Sequence, residues 1–76
     1  MIKEHDCVVL TKNLPEEKLE AGDIGTVVHL HNGGAAYEVE FVTLAGNTVA
    51  VATVEASAVR PIGKRDISHV RELQPV

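Results

Sequence analysis

The sequence predicts an all-β domain: a small, partly open barrel of about five short strands, followed by a short C-terminal helix or tail. Three observations carry this. Short runs rich in valine and other strand-forming residues recur at Cys7–Leu10, Thr26–His31, Ala36–Val42, Thr48–Val54 and Val59–Ile62, separated by turn-forming segments. The third run alternates strictly, with Tyr37, Val39 and Phe41 on one side and Glu38 and Glu40 on the other, as a half-buried strand does. The length, 76 residues, allows one domain over 1–76 and leaves no room for a dinucleotide-binding fold or an α/β barrel.

Taken in order, Cys7-Val8-Val9-Leu10 is a short apolar run that reads as a buried strand. The connection that follows, Thr11 to Asp23, carries Pro15 and four acids. One helical turn is expected at Pro15–Leu19, because proline fits the first helical position and acids favour the first turn. The stretch Ala21-Gly22-Asp23-Ile24-Gly25-Thr26-Val27-Val28 then leads into the second strand. Its glycines precede a strand rather than a helix, and no Gly-Lys-Thr follows, so it is no phosphate loop and implies no cofactor. Gly22 is read instead as a turn at positive φ. Gly25 is read as a close backbone approach or bulge where the strand bends.

Asn32-Gly33-Gly34 is a strong turn signal, and it joins the second and third strands as a hairpin. Gly46-Asn47 turns the chain into the fourth strand, and Glu55–Ala58 reads as a brief 3₁₀ turn. Pro61 confines the fifth strand to an edge or an end, because proline cannot donate to a ladder. Barrel residues thus run from about 5 to 62 and a tail from 63 to 76. In the tail, Asp66 is a candidate N-cap, and Ile67, Val70 and Leu73 fall on one face of about two helical turns. The expected core is Val8, Leu10, Val27, Val39, Phe41, Val49, Val51 and Val59. It is a core of small side chains, since the chain has one Phe, one Tyr and no Trp.

An initial apolar strand, a long loop, then Gly22–Val28, Tyr37–Phe41 and Val59-Arg60-Pro61 resemble the SH3-like barrels. The same stretches resemble the barrel of nitrile hydratase β-type subunits, and Gly22–Val28 resembles the KOW-type turn of ribosomal and transcription-factor barrels. From His5–Leu10 through Gly33–Val42 to Ala56–Ile62, nearly the full length is similar to a family of small uncharacterised bacterial proteins that carries a domain-of-unknown-function label. That resemblance implies an SH3-like fold and no established activity. The nitrile-hydratase-type likeness implies an accessory subunit of a larger enzyme.

Charge and composition narrow the function. The formal net charge is −4, from 11 acids and 7 bases. A dedicated nucleic-acid binder draws its affinity from a basic surplus, so this balance favours a basic protein partner instead. The lone Cys7 excludes an intrachain disulfide and suits a reducing, cytoplasmic setting. The N-terminal residues 1–6 hold no apolar signal segment, and no apolar run approaches a membrane span.

Glu16, Glu17, Glu20 and Asp23 load one loop with negative charge and are the first choice for docking a basic protein partner, in an accessory-subunit, inhibitor or antitoxin-like role. The alternative is a solvated loop with no partner. Arg60, Lys64, Arg65 and Arg71 place four of the seven basic residues near the C-terminus and form the alternative, a KOW-like contact to nucleic acid or a ribonucleoprotein. Against it stands the lack of an aromatic platform, since Tyr37 and Phe41 fall on the core face.

His29 and His31 lie two apart in a strand, hence on one face, and His5 with Cys7 repeats the spacing; together they are a candidate metal set. The plainer reading puts both histidines in solvent beside the turn and Cys7 in the core. Cys7 lies in an apolar run and no serine sits in a motif, so no nucleophile stands out, and Glu38 with Glu40 reads as a solvated face. No enzyme is expected. Open edges at the fifth and N-terminal strands point to a homodimer.

Overall fold

Strands β1 (Cys7–Leu10), β2 (Ile24–His31), β3 (Ala36–Val42), β4 (Thr48–Glu55) and β5 (Val59–Pro61) form one antiparallel sheet in the order β4-β3-β2-β1-β5. This is a computed structural model, and it describes residues 1–73. Strands β4 and β5 follow one another in the chain through a 3₁₀ turn at Ala56–Ala58, yet lie at opposite edges of the sheet. The sheet is therefore not closed into a barrel, in keeping with the partly open architecture expected. Strand β1 lies between β2 and β5, which corrects the expectation that it is an open edge.

The core gathers on one face. Val8 and Leu10 of β1, Val27 of β2, Val39 and Phe41 of β3, and Val59 of β5 are buried as expected. Each such side chain contributes about 1.5–3 kcal/mol on leaving water. Leu19 joins them from the long connection. That connection is a small hairpin of its own. Leu14 and Leu19 exchange backbone hydrogen bonds of 2.9 and 3.1 Å around a 3₁₀ turn at Pro15–Glu17, and Lys18 takes positive φ to close it. The proline at the first position of that turn matches the sequence reading.

Two bulges decide which residues face the core. Val27 pairs with Val39 and His29 with Glu38, so Val28 is an extra residue in β2. The phase flips there, turning Leu30 inward and His29 and His31 outward. In β4, Val42 pairs with Thr48 and Phe41 with Ala50, so Val49 is the extra residue. Ala52 and Val54 therefore face the core opposite Val39 and Tyr37. Val51 lies opposite Glu40 and is 51% exposed. The assignment of Val51 to the core is thus corrected, and Val49 is only partly buried against it. The change Val51→Thr should leave the melting temperature within about 3 °C of wild type in a thermal melt, because surface substitutions usually stay within about 0.5 kcal/mol.

The tail runs without helix from Gly63 to Leu73. Of the two forms expected, helix or tail, the chain takes the tail, and the expectation for 74–76 lies outside the described residues. Asp66 is occupied otherwise than as a helix cap. Its carboxylate accepts the Gly63 N–H at 2.6 Å and N–H groups from Arg60 Nη1 and Nη2, each at 2.9 Å. A stretch this short gains too little from helix propensity alone.

Candidate functional site

A groove of about 520 Å³ opens between the tail, Ser68–Leu73, and the end of the sheet formed by Ile24, the Val42–Ala45 turn and Val49. Its floor is Phe41 and Leu19, both core residues. Its walls are large apolar side chains that water reaches, among them Leu44 at 91% and Val70 at 71% exposed. The position of each wall has a local cause. The β3–β4 turn is set by Gly46 at positive φ, by Thr43 N–H to Asn47 O at 2.8 Å and by Gly46 N–H to Thr43 O at 2.9 Å. This lifts Leu44 away from the core.

The tail is fixed across the groove by Arg71. Its Nε donates to Asp23 Oδ1 at 2.8 Å and its Nη2 to Asp23 Oδ2 at 2.6 Å, a fork-to-fork pair. Nη2 also reaches the Lys18 carbonyl at 3.3 Å, and Nη1 lies 3.7 Å from Glu20. Asp23 is itself built into the loop, accepting the Glu20 N–H at 2.8 Å. Burial alone would raise the Asp23 carboxyl. The hydrogen bonds from Arg71 and Glu20, with the charge of Arg71, outweigh it and hold the group below the ordinary 3.8.

The four loop acids are not one patch. Glu20 and Asp23 face the tail and carry Arg71. Glu16 and Glu17 flank a separate cleft beside Ala52 and Thr53, exposed and without an ion pair among the described residues. The basic set also divides. Arg71 is tied to Asp23, and Arg60 is tied to Asp66, whose carboxyl the Arg60 and Gly63 hydrogen bonds bring down to about 2. Lys64 and Arg65 are exposed, with no ion pair among the described residues. Two groups that the sequence offered as separate sites are thus joined through Asp23 and Arg71.

The histidines lie on the outer face. Their rings are 4.9 Å apart, edge to face. His31 Nε2 is 2.9 Å from Glu38 Oε1, and the Thr53 hydroxyl donates to the same oxygen at 2.8 Å. Those two contacts, His31 first, hold the Glu38 carboxyl below its ordinary value. His29 lies 4.0 Å from Glu4. His5 takes positive φ and donates its backbone N–H to Val27 O, while Cys7 is exposed beside the Thr26 hydroxyl at 3.9 Å. Cys7 is therefore not the buried residue of the plainer reading. Among the described residues, no three His, Cys, Asp or Glu side chains converge in a way that could hold a metal ion.

Sequence reasoning missed the apolar groove residues Ile24, Val42, Leu44, Val70 and Leu73 as a group. Their chain separation gives no signal before the sheet is assembled. Among the described residues, no helix is long and apolar enough to cross a membrane.

A curated relative, the large ribosomal subunit protein bL25 of Pseudomonas fluorescens, is 46% identical over 65 residues, covering 80% of this chain and 33% of that protein. The chain thus spans about a third of the length of that relative. No solved structure matches the chain. Neither result bears on the nitrile-hydratase-type likeness. A family model, described as a domain of unknown function (DUF4926), matches residues 4–61, which takes in all five strands. With that match over most of its length, the chain belongs to the DUF4926 family.

Proposed function

We propose that this domain is a non-catalytic binding module that engages a protein partner, as an accessory subunit, inhibitor or antitoxin-like protein does. The observation that carries this reading is the groove. Small monomeric proteins rarely leave large apolar side chains clustered in water, and here Ile24, Val42, Leu44 and Val70 are all exposed around one opening. The acids Asp23 and Glu72 line it, and Glu16, Glu17 and Glu20 lie along the same loop as Asp23, which favours a partner with basic groups beside an apolar contact.

The test begins with capture of the tagged chain from its host's lysate, with and without nuclease. The captured protein is then purified and titrated against wild type and against the triple charge reversal Glu16→Lys, Glu17→Lys, Glu20→Lys. The reversal should weaken binding by about tenfold or more while circular dichroism stays unchanged. Equal binding by both forms would remove the acidic loop from the interface.

A second reading has one observation in its favour, the likeness to a protein named for the large ribosomal subunit. On this reading the chain contacts a ribonucleoprotein through Arg60, Lys64, Arg65 and Arg71. Lys64 and Arg65 would make the first phosphate contacts, since the other two are each held by an aspartate. Loss of all captured material on nuclease treatment, and binding that falls steeply with salt, would favour it over the protein partner.

A further inference from the structure

Past Asp66, which Arg60 holds beside β5, the described tail is fastened to the sheet through one side chain. From Pro61 to Leu73 every residue is exposed except Arg71. Ile67 and Val70 stand in water at 91% and 71% exposed. Among the described residues, no backbone–backbone hydrogen bond joins Lys64–Leu73 to the sheet.

Arg71 is seated in a socket that the Lys18–Asp23 loop makes by itself. The Asp23 carboxylate takes it at 2.6 and 2.8 Å, the Lys18 carbonyl at 3.3 Å, and Glu20 stands 3.7 Å away. The loop owes its shape to other bonds. The Glu20 N–H holds the Asp23 carboxylate at 2.8 Å, and Gly22 and Asp23 exchange backbone bonds of 2.8 and 2.9 Å with Leu10 of β1. No backbone N–H takes the Lys18 carbonyl among the described residues. A carboxylate and a carbonyl thus converge as acceptors, which suits the planar fan of donors on a guanidinium better than the compact ammonium of lysine. The socket lies within residues 4–61, the part of the chain that the family model matches, and the arginine in it comes from outside that part.

The tail fills the socket and leaves the groove beside it open. Val70, next to Arg71, is in water, and about 520 Å³ stays accessible over Phe41 and Leu19, with Val42 and Leu44 exposed on its wall. An arginine whose large apolar neighbours reach into that groove buries surface that the tail leaves wet. It has only a partly exposed ion pair to displace, and such pairs hold weakly. Charge agrees with this occupant. Asp23 and Glu72 line the groove, Glu20 stands beside it, and Arg71 is the one arginine or lysine in the lining. A phosphate-bearing ligand is repelled there and a cationic side chain is drawn in.

We propose that this socket and groove receive an arginine flanked by large apolar side chains on a partner protein, and that the tail is an internal strap which that segment displaces. This rests on the protein-partner reading above and names what the partner presents.

The probe is a synthetic peptide with the tail's own sequence, Ile67–Leu73, titrated by NMR into the isotope-labelled full chain up to about 5 mM, since a segment held at millimolar effective concentration binds weakly when unlinked. The peptide should bind Arg71→Ala and Arg71→Gln about fivefold or more tightly than wild type, whose socket is free for only a fraction of the time. The shifts should centre on the amides of Asp23, Ile24 and Leu44. Arg65→Ala, exposed and outside the groove, should match wild type. A peptide with alanine in place of its arginine should bind neither form. Adding Asp23→Asn to Arg71→Ala should lose the binding while circular dichroism stays unchanged. No binding to the Arg71 variants, equal binding by wild type and variants, or equal binding of the peptide without arginine would overturn the inference. A protein captured from lysate that binds wild type and Arg71→Ala equally would leave the partner reading standing and overturn this one. So would a wild-type dimer in sedimentation that Arg71→Ala abolishes, because a second copy's tail would then be the occupant.

Discussion

The change Gly25→Ala should lower the melting temperature by about 15 °C, a cost of about 3 kcal/mol. The reason is the packing around Gly25 rather than the freedom of its backbone. Gly25 lies in β2 opposite Phe41. A Cβ there would sit 2.5 Å from Val39 Cγ1 and 2.8 and 2.9 Å from two carbons of the Phe41 ring. No carbon pair tolerates such distances, so the neighbours must move. They have nowhere to go. Val39 is fully buried and Phe41 nearly so, and β3 is held by β2 on one side and β4 on the other. A close-packed interior transmits the strain instead of absorbing it. Gly63→Ala is the control, since its Cβ would meet only Asp66 Oδ2 at 3.5 Å. Adding Phe41→Leu to Gly25→Ala should recover part of the loss, because the two sites share one space and are not additive. A Gly25→Ala protein that melts within a few degrees of wild type would refute this account. The glycine of the Gly22–Val28 stretch thus serves close approach, one of the two roles its place in a strand allowed, and the bulge falls three residues later at Val28.

That separation shows where sequence legibility ends. Strand β3 was readable because its alternation is unbroken, and every inward residue of it is buried. The Asn32–Gly34 turn was readable because positive φ favours asparagine and glycine, and all three residues adopt it. Strand β4 was readable as a strand but not in phase. A bulge is a relation between two strands, and the run Thr48–Val54 has valine or alanine at enough positions to suit either phase. The single inserted residue at Val49 moved Val51 from core to surface. The tail misled for a related reason. Spacing of three in Ile67, Val70 and Leu73 suits a helix only if the helix has a surface to bury against. Here Ile67 and Val70 stay in water, Asp66 takes Arg60 and the Gly63 N–H a few residues before it, and Arg71 takes the distant Asp23 instead. Of the candidate site, the charged residues were visible singly. Their pairing was not, because Asp23 and Arg71 are 48 positions apart and nothing in either neighbourhood names the other.

That pairing sets the second large effect. Asp23→Ala should cost about 2 kcal/mol, lowering the melting temperature by about 10 °C, and should free the tail. Asp23 joins three things at once: its carboxylate accepts the Glu20 N–H within the loop and the Arg71 guanidinium on the tail, and its backbone carbonyl accepts the Leu10 N–H of β1. Alanine keeps the last and loses the first two. Arg71→Ala removes only the tail contact and should cost about half as much, since the pair is partly exposed and screened. Both variants should raise amide exchange and trypsin cleavage in residues 64–73, and only Asp23→Ala should also loosen Glu20. The pH dependence has a definite sign. The carboxyl of folded Asp23 lies below its ordinary value, so the stability it contributes is present above that value and disappears as pH falls through the folded one. The gap between wild type and Asp23→Ala should therefore be full at neutral pH and shrink below about pH 4. A gap that persists unchanged in acid would mean that the side chain matters for its shape, not its charge. A fully protected tail in Arg71→Ala would mean that the apolar contacts of Val70 and Leu73 with the groove hold the tail without the ion pair. The groove would then be a fixed wall of the domain rather than an opening that a partner can widen.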